Sequence, residues 1–142
     1  MRLIALILTT LLLFLPHTLK AHEESSHNQS HQKEVVIVVN LTHGRGISTE
    51  MALNFANISL GKGYETVVWI NSEGVKLADA KAKEVQAVKM LKEFLSKGGK
   101  VYVCPICAKK LGVRELIKGA QWANPDIIFS LISQDRARVI SF

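Results

Sequence analysis

The segment GGKVYVCPICAKKLGV runs from Gly98 to Val113. Two glycines stop whatever element precedes them. Val101, Tyr102 and Val103 favour an extended chain. Cys104 ends that run. Pro105 follows at a position where the first turn of a helix tolerates a missing N–H, and Gly112 closes the turn-and-a-half that results. A strand passing straight into a helix is half of a βαβ unit, and the rest of the chain supplies more of the same pattern.

Upstream, Lys81 to Ser96 form a charged amphipathic stretch. Val85, Val88, Met90, Leu91, Phe94 and Leu95 mark its inner side. Before it, NSEGVKLADAK reads as a crossing at the sheet edge. ETVVWI (65–70) is a buried strand. The segment from Ser48 as cap, through Met51, Leu53, Phe55, Ala56 and Leu60 to the GKG at 61–63, reads as a helix. EVVIVVN opens the ordered part, with Val35 to Val39 an unbroken β-branched strand.

Downstream, VRELIKGAQW (113–122) reads as a turn of helix and a short extended piece. Asn124 as cap, Pro125 at the first helical position and Asp126 in the first turn begin another helix. ARVISF (137–142) is a last strand. Strand and helix alternate. The predicted fold class is therefore α/β: a mainly parallel sheet of about five strands, covered on both faces in a three-layer α/β/α sandwich.

Residues 1–21 have a different character. Arg2 is a short positive start, Leu3 to Leu15 are apolar apart from threonines, and Pro16 and polar residues end the stretch. Ala21 is the small residue before a cut, with Leu19 its weaker partner. This is the pattern of a cleaved signal peptide, with a core short of the ~20 residues a membrane span needs. It predicts export to the periplasm or outside the cell, with no stable membrane insertion after cleavage. An uncleaved anchor is the alternative. Cutting after Ala21 leaves 121 of the 142 residues, and removing Arg2 and Lys20 takes the formal charge from +6 to +4. Residues 22–33 are polar and predict a disordered spacer. His22, His27 and His31 lie in it, loosely spaced for a metal. The domain proper spans 34–142.

The moderate charge is mixed in sign along the chain, and no aromatic residues interleave a basic stripe. Nucleic acid is not an expected partner. GRG at 44–46 lacks the spacing of a dinucleotide loop, and no cofactor or metal is expected.

A parallel sheet puts every loop that follows a strand on one edge, where ligands gather. Three loops meet this description. The first carries Thr42, His43 and Arg45. The second carries Asn71, Ser72, Glu73 and Gly74. The third begins at Cys104. His43 suits a proton shuttle beside a thiol, or a polar loop position. Arg45 suits an anionic sulfur species, or the surface. Trp69 reads as a sheet residue and Trp122 as an interface residue.

Cys104 and Cys107 are the two cysteines of the chain. Backbone N–H groups at a helix start favour a negative neighbour, so Cys104 is placed to be a nucleophilic thiolate. Four readings stay open. A structural disulfide closes too short a loop to gain much. Zinc needs four ligands, two more than the motif supplies. A reversible dithiol and a persulfide-accepting cysteine both use reactive sulfur.

From Glu34 to Phe142 the chain resembles the DsrE/DsrF-like family, including its YchN-like members. VVIVVN, the Ala- and Phe-containing helix, VVWINSEGV, GGKVYVCPICAKKLGV and ELIKGAQW…ARVISF carry the likeness. The resemblance implies a three-layer fold with a parallel sheet and a homo-oligomer, trimeric or hexameric. It also implies sulfur relay through a persulfide on the cysteine that ends the third strand, eight positions before a helix-ending glycine. Cys104 and Gly112 match that placement, and Cys107 matches the second cysteine of the YchN-like group. The expected function is an exported thiol protein that handles sulfane sulfur or disulfides through Cys104, with Cys107 resolving the product. Its partners would be small sulfur species or a thiol protein. The alternatives are a dithiol–disulfide redox protein and a non-catalytic oligomeric binding module.

Overall fold

The computed structural model describes residues 35–142. The signal-like segment and His22, His27 and His31 lie outside the described residues. In chain order the elements are β1 (Val36–Leu41), α1 (Ile47–Gly61), β2 (Glu65–Ile70), a 3₁₀ segment (Ser72–Ala78), α2 (Gln86–Ser96), β3 (Lys100–Val103), α3 (Pro105–Lys110), β4 (Gln121–Trp122), α4 (Pro125–Ile132) and β5 (Ala137–Ser141). The strands form one sheet in the order β4-β3-β2-β1-β5. Every pairing is parallel. The α/β class and the five parallel strands are as expected from the alternation of elements.

Side chains alternate across the sheet. Ile37, Val39 and Leu41 of β1 face one way, with Val68 and Ile70 of β2 and Val101 and Val103 of β3. Ala52, Leu53 and Ala56 of α1 and Val88, Leu91 and Phe94 of α2 close over them, all essentially inaccessible to water. The two alanines let α1 approach the strands closely. The other face is thinner. Val36, Val38 and Val67 are buried there beside Trp69, Tyr102 and, from α4, Leu131 and Ile132. Phe129 of α4 and Val139 of β5 are left exposed at 67% and 49%; Trp122 of the edge strand β4, in register with Val103 and so on the first face, is 42% exposed.

Three local expectations are corrected. Ser48 is not the cap of α1; Gly46 takes that position at φ 87°, and Ser48 lies inside the helix. The buried Thr49 hydroxyl does the local work instead, donating to the carbonyls of His43 and Arg45 at 3.1 and 2.9 Å. The amphipathic helix starts at Gln86 rather than Lys81, and Val85 is half exposed. The helical turn expected within 113–122 is absent. The missing turn has a cause far along the chain. Asp79 and Leu116 form an antiparallel bridge. Ala80 donates to the Glu115 carbonyl at 2.9 Å and Ile117 to that of Ala78 at 2.8 Å. Backbone groups engaged across these two segments cannot also bond within a helix.

Candidate functional site

The carboxyl ends of β5, β1 and β2 are joined by side chains. Asn40 donates from Nδ2 to Ser141 Oγ at 3.1 Å. Asn71, the first residue after β2, donates from Nδ2 to Asn40 Oδ1 at 2.7 Å. Its own Oδ1 accepts from Ser72 Oγ at 3.1 Å. Asn40 and Asn71 are diagonal neighbours on one face, because Asn40 is in register with Trp69. Ser72 then turns the chain with φ 49°, the one non-glycine residue at positive φ among the described residues. Such a conformation costs about 1–3 kcal/mol and persists only where its surroundings hold it.

The loops after β1 and β2 lie against each other. Gly74 donates to the Thr42 carbonyl at 2.9 Å. A Cβ on Gly44 would stand 2.8 Å from the Glu73 carbonyl oxygen, and one on Gly74 2.9 Å from that of Leu41. Both positions need glycine because backbone occupies the space a side chain would fill.

Cys104 enters this edge from β3. Its N–H donates to the Ile70 carbonyl at 2.9 Å, so the end of β2 fixes it. It is the cap residue of α3, and its sulfur accepts the Cys107 N–H at 3.3 Å. Pro105 occupies the first turn, as expected. Gly112 follows the helix at φ 78°. Both thiols are free and half-buried. Cys107 sits one turn along α3, which packs on the 3₁₀ segment.

The Cys107 thiol is pushed above the ordinary thiol range. The main cause is its hydrogen bond with the Cys104 side chain, followed by burial. The Ser72 backbone pulls the other way. The pair is thus asymmetric. Cys107 directs its N–H at the Cys104 sulfur, and its neighbour's side chain and burial favour the protonated form of its own thiol. Cys104 is the sulfur that accepts a backbone N–H at the start of α3.

The three predicted loops therefore share an edge, but their side chains do not all meet. The 3₁₀ segment and α3 bring the second and third loops together at Cys107. His43 is exposed and pairs its Nδ1 with Thr42 Oγ1 at 2.9 Å. Arg45 is exposed. Among the described residues, no hydrogen bond joins either to a cysteine, so the assisting roles assigned to them gain no contact here. No group of three or more metal-ligating side chains occurs among the described residues. Beside α3 lies an open cleft of about 290 Å³, with Leu77, Val85 and Leu111 on its walls and Lys76 and Lys83 among its polar residues. Leu111 donates its N–H to the Cys107 carbonyl at 3.0 Å and stands one turn beyond that cysteine.

Asn40 was not singled out by its sequence. The available signal was a lone amide closing a β-branched run, VVIVVN, at a position whose neighbours on the same face are valines. Thr49 left no comparable trace.

A parallel α/β sheet with a capped Cys-x-x-Cys at the carboxyl edge defines a class of thiol-bearing sheet-edge proteins. The DsrE/DsrF-like family profile matches residues 33–142, and the chain belongs to that family, which is associated with sulfur relay. Among solved structures, the ychN protein from E. coli is similar at a TM-score of 0.63 and 19% identity, covering 76% of this chain and 98% of that one. At that identity the likeness concerns the fold. No curated protein matches the sequence.

Proposed function

We propose that the protein is an exported sulfur-handling thiol protein in which Cys104 is the nucleophile and Cys107 resolves what it accepts. The observation that carries this is the asymmetry of the pair: Cys107 donates its N–H to the Cys104 sulfur at 3.3 Å, while the Cys104 side chain and burial push its own thiol up. The Cys104 thiolate attacks the outer sulfur of a sulfane donor, R–S–SH. The S–S bond of the donor breaks, R–S⁻ leaves, and Cys104 becomes a persulfide. No net oxidation occurs in this step. Passing the outer sulfur to an acceptor thiolate regenerates Cys104. Alternatively the Cys107 thiolate attacks the inner sulfur, forms the Cys104–Cys107 disulfide and expels hydrosulfide. The two thiols are then oxidised by two electrons and the sulfane sulfur is reduced. Return to the dithiol needs exchange with an external dithiol.

A second reading, a dithiol–disulfide exchange protein, is favoured by the same thiol–thiol contact and differs only in the first electrophile. Export rests on the Arg2, Leu3–Leu15 and Ala21 pattern. Homo-oligomerisation, as a trimer or hexamer, is supported by the family resemblance and by the exposed apolar side chains of Phe129 and Val139 beside the thin side of the sheet and of Trp122 at its β4 edge.

The test is intact-protein mass after reduction and exposure to a sulfane donor. Cys107→Ser gains one sulfur atom, the wild-type chain either gains one sulfur atom or, once Cys107 has resolved it, loses two hydrogens as the disulfide, and Cys104→Ser does neither. No gain in any of them would leave a non-catalytic binding module as the better account. Light scattering checks assembly, and a monomer across a wide concentration range would contradict it. N-terminal sequencing checks for a start near His22.

A further inference from the structure

We propose that the cleft beside α3 binds a small amphipathic anion, of the class of an aliphatic carboxylate, with its apolar body between Val85 and Leu111 and its charged end at Lys76 and Lys83. The site goes beyond the thiol chemistry and does not rest on it.

Three segments build the cleft. The 3₁₀ segment contributes Lys76 and Leu77, the approach to α2 contributes Lys83 and Val85, and Leu111 closes α3. Its floor is apolar, with Leu77 and Val88 buried in the core cluster. Its walls are aliphatic side chains that the fold leaves uncovered: Val85 is 51% exposed and Leu111 37%. A volume of about 290 Å³ lies at the small end of ligand pockets, which suits a small molecule rather than a folded partner.

Val85 contradicts the local chemistry of its position. It is the cap residue of α2, in an extended conformation at φ −96° and ψ 168°, and makes no side-chain bond to the helix. Serine, threonine, aspartate or asparagine would stabilise the helix there by accepting an N–H. Asn124 does so for α4, and the Cys104 sulfur does so for α3. Valine forgoes that bond and still leaves half of its surface in water. A residue that breaks a local rule without gaining burial points to a use other than folding. What Val85 supplies is a wall of the cleft.

The charge at the cleft is positive. Lys76 and Lys83 are exposed, and among the described residues neither forms an ion pair. Glu84, next to Lys83 in the chain, is paired with Lys92. The acid on the lining is Asp79. It is half-buried, and its Oδ1 accepts the Lys81 N–H at 2.9 Å. One carboxylate engaged with its own turn thus stands against two cations. Exposed charges attract weakly. The apolar body therefore provides most of the affinity, and the lysines choose the sign of the ligand.

The experiment titrates the full chain with octanoate and follows the backbone amides by NMR. The amides of Val85, Val88 and Leu111 should shift saturably. Shortening the probe toward butanoate should weaken binding by up to about fourfold per methylene lost. Octylamine, of the same length and opposite charge, should bind about threefold more weakly. Lys76→Gln combined with Lys83→Gln should erase that difference. Val85→Ser is the decisive variant, because it supplies the missing cap while removing the wall. Its thermal midpoint should hold or rise, while octanoate binding weakens about fivefold. Leu111→Ser should weaken binding similarly, and Val85→Ser alone carries the test if that variant does not fold. The proposal is overturned if millimolar octanoate gives no saturable shift, or if Val85→Ser binds as tightly as the wild type. Equal binding of octylamine and octanoate overturns it as well. So do shifts at these amides that follow protein concentration rather than octanoate, since a second copy would then cover the cleft.

Discussion

The two ends of the sheet are built from the same strands and put to different uses. At the amino end Glu65 of β2 meets Lys100 of β3 at 2.8 Å and Arg136, just before β5, at 3.4 Å. Nearby, Gly99 leaves room for the Phe94 ring, which a Cβ there would strike at 2.3 Å. These contacts close the core and neutralise charge. At the carboxyl end the strands finish in Asn40, Ser141, Asn71 and Cys104. Their side chains bond to each other or accept from α3. The amino end holds strands together; the carboxyl end holds a thiol pair in one relative orientation. Changes at the first should move stability, and changes at the second should move thiol chemistry.

The sharpest way to break this division is in the core behind the amino end. Phe94→Ala empties a fully buried ring site. It should cost about 3–5 kcal/mol and lower the denaturant midpoint accordingly. A loss below about 1 kcal/mol would mean that the ring is not held as described. At the carboxyl end, Gly44→Ala forces a Cβ to 2.8 Å from the Glu73 carbonyl. Overpacking of this kind costs about 1–3 kcal/mol. The displaced Glu73 belongs to the 3₁₀ segment that packs on α3, so this variant should alter Cys107 alkylation as well as stability. A stability change with untouched alkylation would separate the two loops that the structure joins.

The ion pairs of the amino end are a smaller effect. Lys100 holds the Glu65 carboxyl below the usual carboxylate range, with burial opposing it and Arg136 assisting. The native state therefore favours the ionised form. Its stabilisation is present above the unfolded value of ~4.3 and is lost as pH falls through the lower native value. Solvent screens the pair, so Glu65→Gln should cost under about 1 kcal/mol at pH 7. The difference from wild type should shrink in acid. A gap that stays constant between pH 7 and pH 3 would show that charge is not what Glu65 contributes.

The contrast also explains what the sequence made legible. Buried strands announce themselves by β-branched runs: Glu65–Ile70 has the expected bounds, and Val36–Leu41 ends two residues beyond its run of valine and isoleucine. Asn124 and Pro125 marked the start of α4 because a cap is local chemistry; Asn124 Oδ1 accepts the Ile127 N–H at 2.8 Å. Cys104 and Pro105 marked the site for the same reason. What stayed illegible depends on partners far along the chain. The helical turn expected within 113–122 gives way because Glu115–Ile117 are engaged by Ala78–Ala80. Asn40 and Asn71 become a pair only when β1 and β2 lie in register. His43 and Arg45 looked like candidates because their residue types suit the chemistry, and type alone does not aim a side chain.

The central claim is that the two thiols of one motif are unequal, with Cys104 the reactive one. The most direct test follows alkylation of each cysteine against pH in the otherwise wild-type chain, by mass of the separate peptides. Cys104 should be modified first at every pH. Cys107 should lag and require pH above the ordinary thiol range, the direction that its bond to Cys104 and its burial impose. Cys104→Ala should remove that bond and bring the Cys107 profile down. Equal rates for the two cysteines, or a Cys107 profile that does not move when Cys104 is removed, would contradict the account.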